Sequence, residues 1–128
     1  QHCYDFGLAL REIAENDLPA GMRVAIMGTG GLSHDPGGPK YFDVDEEFDR
    51  WFLALLEQGD PGNVLRECTM EKMVAAGDGG TSELIAWIAA MGAVGTRPAH
   101  TICYEPSVAL RCGMGCIYWD MEKETANV

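Results

Sequence analysis

The chain has 128 residues, 47% of them hydrophobic, and a formal net charge of -11, which suits one modest domain with a single core. The acidic balance argues against nucleic acid and anionic membrane surfaces as partners. No apolar run approaches the roughly 20 residues needed to cross a bilayer, and cysteines read as free thiols suit a reducing cytosol, so a cytoplasmic location is expected.

The first residue is Gln1, and neither a basic start nor an apolar signal segment follows it. Cys3, Cys68, Cys103, Cys112 and Cys116 are irregularly spaced. Cys112 and Cys116 have no matching second pair, so buried free thiols are expected rather than a structural zinc site.

Residues 5–16 read as a helix, because Phe6, Ala9, Leu10 and Ile13 recur at helical spacing and Asp5 can cap the start. Pro19 and Gly21 end it. Residues 23–27 form a short apolar run of the kind that makes a buried strand, and Gly28, Gly30 and Gly31 break it. Glycines here let another group approach the backbone closely. The next polar side chains then lie at a sheet edge, where ligands usually sit. His34 is accordingly the best-placed group for proton chemistry near neutral pH. The turn is neither a G-x-G-x-x-G fingerprint nor a P-loop. It also lacks the Gly-x-Ser-x-Gly of a nucleophile elbow, and adjacent Ser33 and His34 make no triad, so a hydrolase is the weakest reading.

Residues 33–41 are rich in Gly and Pro and read as a loop. Residues 43–58 give the clearest helix, with Phe48, Trp51, Phe52, Leu55 and Leu56 on one face. Asp43 with Glu46 suggests a capping box, and Glu46, Glu47, Asp49, Arg50 and Glu57 suggest a solvated face. A short helix is expected over residues 69–76, with Met70, Met73 and Val74 inward as core filler, and Asp78-Gly79-Gly80 breaks the chain after it. Residues 81–93 read as a helix apolar nearly all round, hence buried on most sides, and Glu83 is its one charge. A carboxylate there is costly to bury unless paired, protonated or bound to a metal; the alternative is a first-turn glutamate that reaches solvent. Strands are expected over residues 101–104 and 115–120, and residues 121–128 read as a polar, fraying end. The whole reads as α/β, a central mixed sheet flanked by helices.

Two stretches carry a resemblance. Gly28-Thr29-Gly30-Gly31-Leu32-Ser33-His34, then Asp35-Pro36-Gly37-Gly38-Pro39-Lys40, then Asp45-Glu46-Glu47-Phe48-Asp49-Arg50-Trp51-Phe52-Leu53 resemble the class III (LigB-type) extradiol ring-cleavage dioxygenases. These enzymes show a strand, G-T-G-G-[LM]-S-H, a Gly-Pro loop and an acidic-aromatic helix. Downstream, Glu83-Leu84-Ile85-Ala86-Trp87 and Gly92-Ala93 match their Glu-Leu-x-x-Trp-x-x-x-x-Gly-Ala segment.

The resemblance implies non-haem Fe(II), held by two histidines and one carboxylate, and cleavage by O2 of a catechol-type ring such as protocatechuate or gallate. It makes His34 the acid/base histidine and Glu83 the iron ligand. It places Ser107 and Arg111 in a substrate-facing stretch, where an arginine suits a bidentate carboxylate contact. It implies that residues 1–128 are the C-terminal portion of one catalytic domain whose members are roughly twice this length. The resemblance implies that the two iron-binding histidines lie in the other, N-terminal half, and neither His2 nor His100 sits in a context matching those ligands. A small α subunit or a fused equivalent, and an oligomeric state, are further implied. The chain departs from the family at Gly80, where relatives often have another glutamate, and in the loop after His34. The alternative is a non-catalytic binding or assembly domain of the same fold that lacks the metal.

Overall fold

Helix α1 (His2–Asn16) lies against helix α5 (Leu84–Val94), and backbone touches backbone where they meet. A Cβ at Gly7 would collide with the carbonyl of Ala89, and one at Gly92 with the carbonyl of Tyr4. Only two glycines allow this approach, which seats α5 deep enough to bury Leu84, Trp87, Ile88 and Met91. A short 3-10 turn, Thr81–Glu83, leads into α5, so Glu83 stands before the helix and not on its apolar surface.

Helix α2 (Glu46–Glu57) starts later than the spacing suggested, because Asp45 rather than Asp43 caps it by accepting the Phe48 N–H at 3.0 Å. Its apolar face, Phe52, Leu53, Leu55 and Leu56, joins Leu32, Val64, Met73 and Leu84 in the core. Helices α3 (Pro61–Glu67) and α4 (Met70–Ala76) follow, capped by Asp60 and Thr69. Of the three residues expected inward on α4, Met73 is buried, whereas Met70 and Val74 are exposed.

This computed structural model describes residues 1–77 and 79–121. The expected break at Asp78 and the expected fraying of residues 122–128 lie outside the described residues. No helix among the described residues is long and apolar enough to cross a membrane.

The chain is α/β, but in place of the expected central mixed sheet the described residues form a two-stranded antiparallel ribbon of β1 (Ala99–Ser107) and β2 (Cys112–Trp119). The expected buried strand over residues 23–27 is not assigned as a strand, and Met27 is 79% exposed. The reason is local. The segment meets β2 at one point, where Leu32 N–H donates to Gly113 O at 3.0 Å and Gly113 N–H donates to Ser33 O at 2.9 Å. Upstream, an apolar cleft of about 580 Å³, lined by Val24, Ile26, Trp87 and Ile117 among others, separates it from β2, and no ladder forms. The cysteines also differ from expectation: Cys68 is buried, Cys3 and Cys112 are half-buried, and Cys103 and Cys116 are exposed.

The α1–α5 crossing gives a test with opposing signs. Helix propensity alone makes Gly92→Ala stabilising by about 1 kcal/mol. The backbone collision should reverse this, giving a net loss of about 1 to 3 kcal/mol in urea denaturation.

Candidate functional site

The glycine-rich segment ends in a fixed geometry. Trp87 Nε1 donates to Gly30 O at 3.2 Å, Gly31 N–H donates to Glu83 Oε2 at 3.1 Å, and Leu32 is fully buried. A Cβ at Gly31 would strike Cys112 Sγ and crowd the His34 ring, and one at Gly80 would strike both the ring and the carbonyl of His34. The imidazole therefore occupies space that these two glycines leave clear. Gly80, a departure from the family pattern, is one of the positions that makes room for it.

His34 Nδ1 lies 2.8 Å from Leu32 O. A carbonyl can only accept, so Nδ1 carries the proton and, in the neutral ring, Nε2 keeps its lone pair. That lone pair faces Glu83 Oε2 at 3.8 Å, too long for a hydrogen bond. The backbone N–H of His34 donates to Thr81 Oγ1 at 3.3 Å, tying the residue to the turn that carries Glu83. The His34 side chain is mostly enclosed, while that of Glu83 is 51% exposed.

A cavity of about 270 Å³ opens beside the imidazole and is lined by His34, Pro36, Tyr41, Ala109, Leu110 and Arg111. Arg111 stands at the β1–β2 turn with φ 58°, and its guanidinium lies over the rings of Tyr41 (4.2 Å) and Phe42 (4.8 Å). The structure thus brings Arg111 to the cavity that His34 lines, and sets Glu83 beside the imidazole without lining that cavity. It does not bring Ser107 to the cavity: the Ser107 hydroxyl accepts the Leu110 N–H at 3.3 Å within the turn that presents Arg111. His2 is exposed on α1, and His100 stacks on Tyr118 at 5.0 Å on the ribbon.

Beneath this site lies a group that the sequence placed wrongly. Asp49, expected on a solvated face, is fully buried. Its Oδ1 accepts the Ser33 N–H at 2.7 Å, and its Oδ2 accepts the Ser33 hydroxyl at 2.9 Å and the Tyr104 hydroxyl at 2.8 Å. Ser33 Oγ in turn accepts the Asp45 N–H at 2.8 Å. The Ser33 hydroxyl is thereby fully engaged, which removes it as a nucleophile. The signal was present: Asp49 precedes Phe52, Leu53 and Leu56 at helical spacing, on the apolar stripe itself. Asp35 is also buried, and its carboxylate accepts the Lys40 N–H at 2.9 Å, closing the loop after His34.

Burial holds the Asp49 carboxyl above its ordinary value, against its bonds from Ser33 and Tyr104. Burial and then the Asp49 carboxylate push the Tyr104 hydroxyl well up. Burial also raises the Cys112 thiol, helped by the charges of Asp49 and Glu83.

The family described as the catalytic LigB subunit of aromatic ring-opening dioxygenase matches residues 1–110. The chain belongs to the LigB family. It is also 34% identical over 110 residues to a gallate dioxygenase of Pseudomonas putida, an alignment covering 84% of this chain and 32% of that protein. The chain thus spans about a third of that relative's length, where roughly half was expected. The LigB match runs from α1 to Leu110, so it includes His34, Asp49 and Glu83 and stops just short of Arg111.

The buried carboxylate has a pH consequence. A carboxyl raised on folding contributes stability that is fully present below its unfolded pKa and is lost as pH rises through the folded value. Asp49→Asn should lack that decline. Asp49→Ala, which leaves three buried donors without their acceptor, should cost about 3 kcal/mol near neutrality. Urea denaturation at several pH values between about 4 and 7 measures both.

Proposed function

We propose that this chain supplies part of the active centre of an extradiol dioxygenase that opens a catechol-type ring, with His34 as the acid/base and Glu83 as a ligand to Fe(II). The observation that carries the proposal is the juxtaposition of His34 Nε2 and the Glu83 carboxylate, 3.8 Å apart, with His34 also lining a cavity.

The described residues do not by themselves fit an iron ion. Among them, no three His, Cys, Asp or Glu side chains are grouped to hold a metal. Glu83 fits as one donor, because its half-exposed carboxylate is oriented by a single backbone N–H from Gly31. In this reading residues 1–128 are the C-terminal portion of the catalytic domain, and two histidines come from the portion outside this chain. When bound, Fe(II) supplies the electronic coupling between a catechol and O2 that neither has alone.

The contribution of this chain is proton handling and orientation. A catechol hydroxyl directed at His34 gives its proton to Nε2, while Nδ1–H stays anchored on Leu32 O. The same Nε2 atom can return the proton later in the reaction. Arg111, held against the rings of Tyr41 and Phe42, offers its guanidinium to a ring carboxylate such as that of protocatechuate or gallate. Ser107 supports the turn that places it. The enclosed face of His34 limits water at the base. A small α subunit or a fused equivalent would close the pocket further.

The test uses the longer protein, with iron content and O2 uptake measured together. His34→Ala should lower turnover by about 10² to 10⁴-fold and leave iron bound. Glu83→Ala should lower iron content first. Equal loss of iron in both would overturn the assigned roles, and a protein that never binds iron would favour the non-catalytic reading. Arg111→Ala should raise KM for a carboxylated catechol by about 10 to 100-fold and leave that for plain catechol unchanged.

A further inference from the structure

The β1–β2 ribbon sets two exposed cysteines face to face. Thr101 pairs with Ile117, but one step on, the register shifts and Cys103 pairs with Cys116. The shift arises because Ile102 is an extra residue in β1. Without it Cys103 would oppose Gly115. The outward face of the ribbon then reads as three opposed pairs: His100 with Tyr118, Cys103 with Cys116, and Glu105 with Met114. All six of these residues are exposed, and the His100 and Tyr118 rings are in contact across the strands at 5.0 Å. Both cysteines are free thiols.

We infer that Cys103 and Cys116 form a cross-strand dithiol that is oxidised to an intramolecular disulfide by a low-molecular-weight disulfide such as oxidised glutathione. Directly opposed residues of an antiparallel pair have Cα atoms about 4.5 to 5.5 Å apart and side chains on one face. That lies within the roughly 4.4 to 6.8 Å that a disulfide spans, so the register brings the two side chains into the range of a bond. Exposure gives the oxidant access.

The chemistry balances in two exchanges. One thiolate, having lost its proton to solvent, attacks a sulfur of the oxidant; a mixed disulfide forms and one glutathione thiolate leaves. The second protein thiolate attacks the protein sulfur of that mixed disulfide and expels the other glutathione thiolate. The protein loses two hydrogens and two electrons, and the oxidant becomes two thiols. The remaining cysteines lack this arrangement. Cys68 is buried with its thiol pushed up to about 11, and Cys3 and Cys112 are half-buried. The bond would join β1, which carries Tyr104, to β2, and so would brace the turn between them that carries Arg111.

The full chain, and Cys112→Ser to remove the cysteine that shares a proteolytic peptide with Cys116, are incubated without oxygen in a glutathione redox series, quenched and mapped by mass spectrometry. The expected result is a reductant-sensitive peptide joining Cys103 to Cys116, two hydrogens lighter than the sum of its parts. Cys116→Ser should instead hold Cys103 as a lasting mixed disulfide with glutathione. Separate glutathione adducts on Cys103 and Cys116 in the parent chain, a bond involving a different cysteine, or recovery of both thiols unmodified would each overturn the inference.

Discussion

One buried carboxylate ties the site to the fold. Asp49 extends from α2 and binds the backbone and hydroxyl of Ser33 on one side and the hydroxyl of Tyr104, on β1, on the other. Three elements distant in sequence are thereby held by one side chain. The carboxylate is enclosed between Leu32 and the glycine at 113, where a Cβ would collide with it. In such surroundings a satisfied polar network is stiff, because every alternative arrangement strands a donor away from water. His34 follows Ser33 directly, so its backbone position is inherited from this lock.

The imidazole is then oriented by two further constraints of different kinds. The Leu32 carbonyl selects the tautomer, and the missing side chains at Gly31 and Gly80 define the space the ring can occupy. Glu83 reaches the same place from the far side, through the turn ahead of α5. Its position depends on α5, whose seat depends on the glycine contact with α1. Motifs separated by the whole of α2, α3 and α4 therefore converge through packing and not through any direct link between them. Arg111 arrives from a third direction, at the end of the ribbon.

Much of this was legible beforehand, for physical reasons that differ by element. The helix around Phe52 could be read because a buried face imposes helical spacing on apolar residues, and the one around Trp87 because a helix apolar nearly all round must be buried on most sides. His34 stood out as a titratable group next to glycines, whereas Glu83, read as the one charge in the first turn of an apolar helix, was marked as a site residue only by the resemblance. Asp49 could not be judged by charge alone, since a carboxylate on a helix start is usually solvated, and its place on the apolar stripe was the better guide. The run over residues 23–27 looked like a strand because strand propensity is local, whereas a strand exists only when a partner lies alongside. Here β2 diverges from it.

The sequence by itself determined the class of the chain, most of its helices, and His34 and Glu83 as residues to watch, because composition, spacing and short motifs are local properties. Only the tertiary structure decided which groups meet: the lone pair of His34 with the Glu83 carboxylate, the cavity with Arg111, and Asp49 with Ser33 and Tyr104. Those meetings depend on the packing of α1, α2, α5 and the ribbon, and on a one-residue bulge that sets which cysteines face each other. Such distances are set by the sum of many contacts, and no single stretch of chain encodes them.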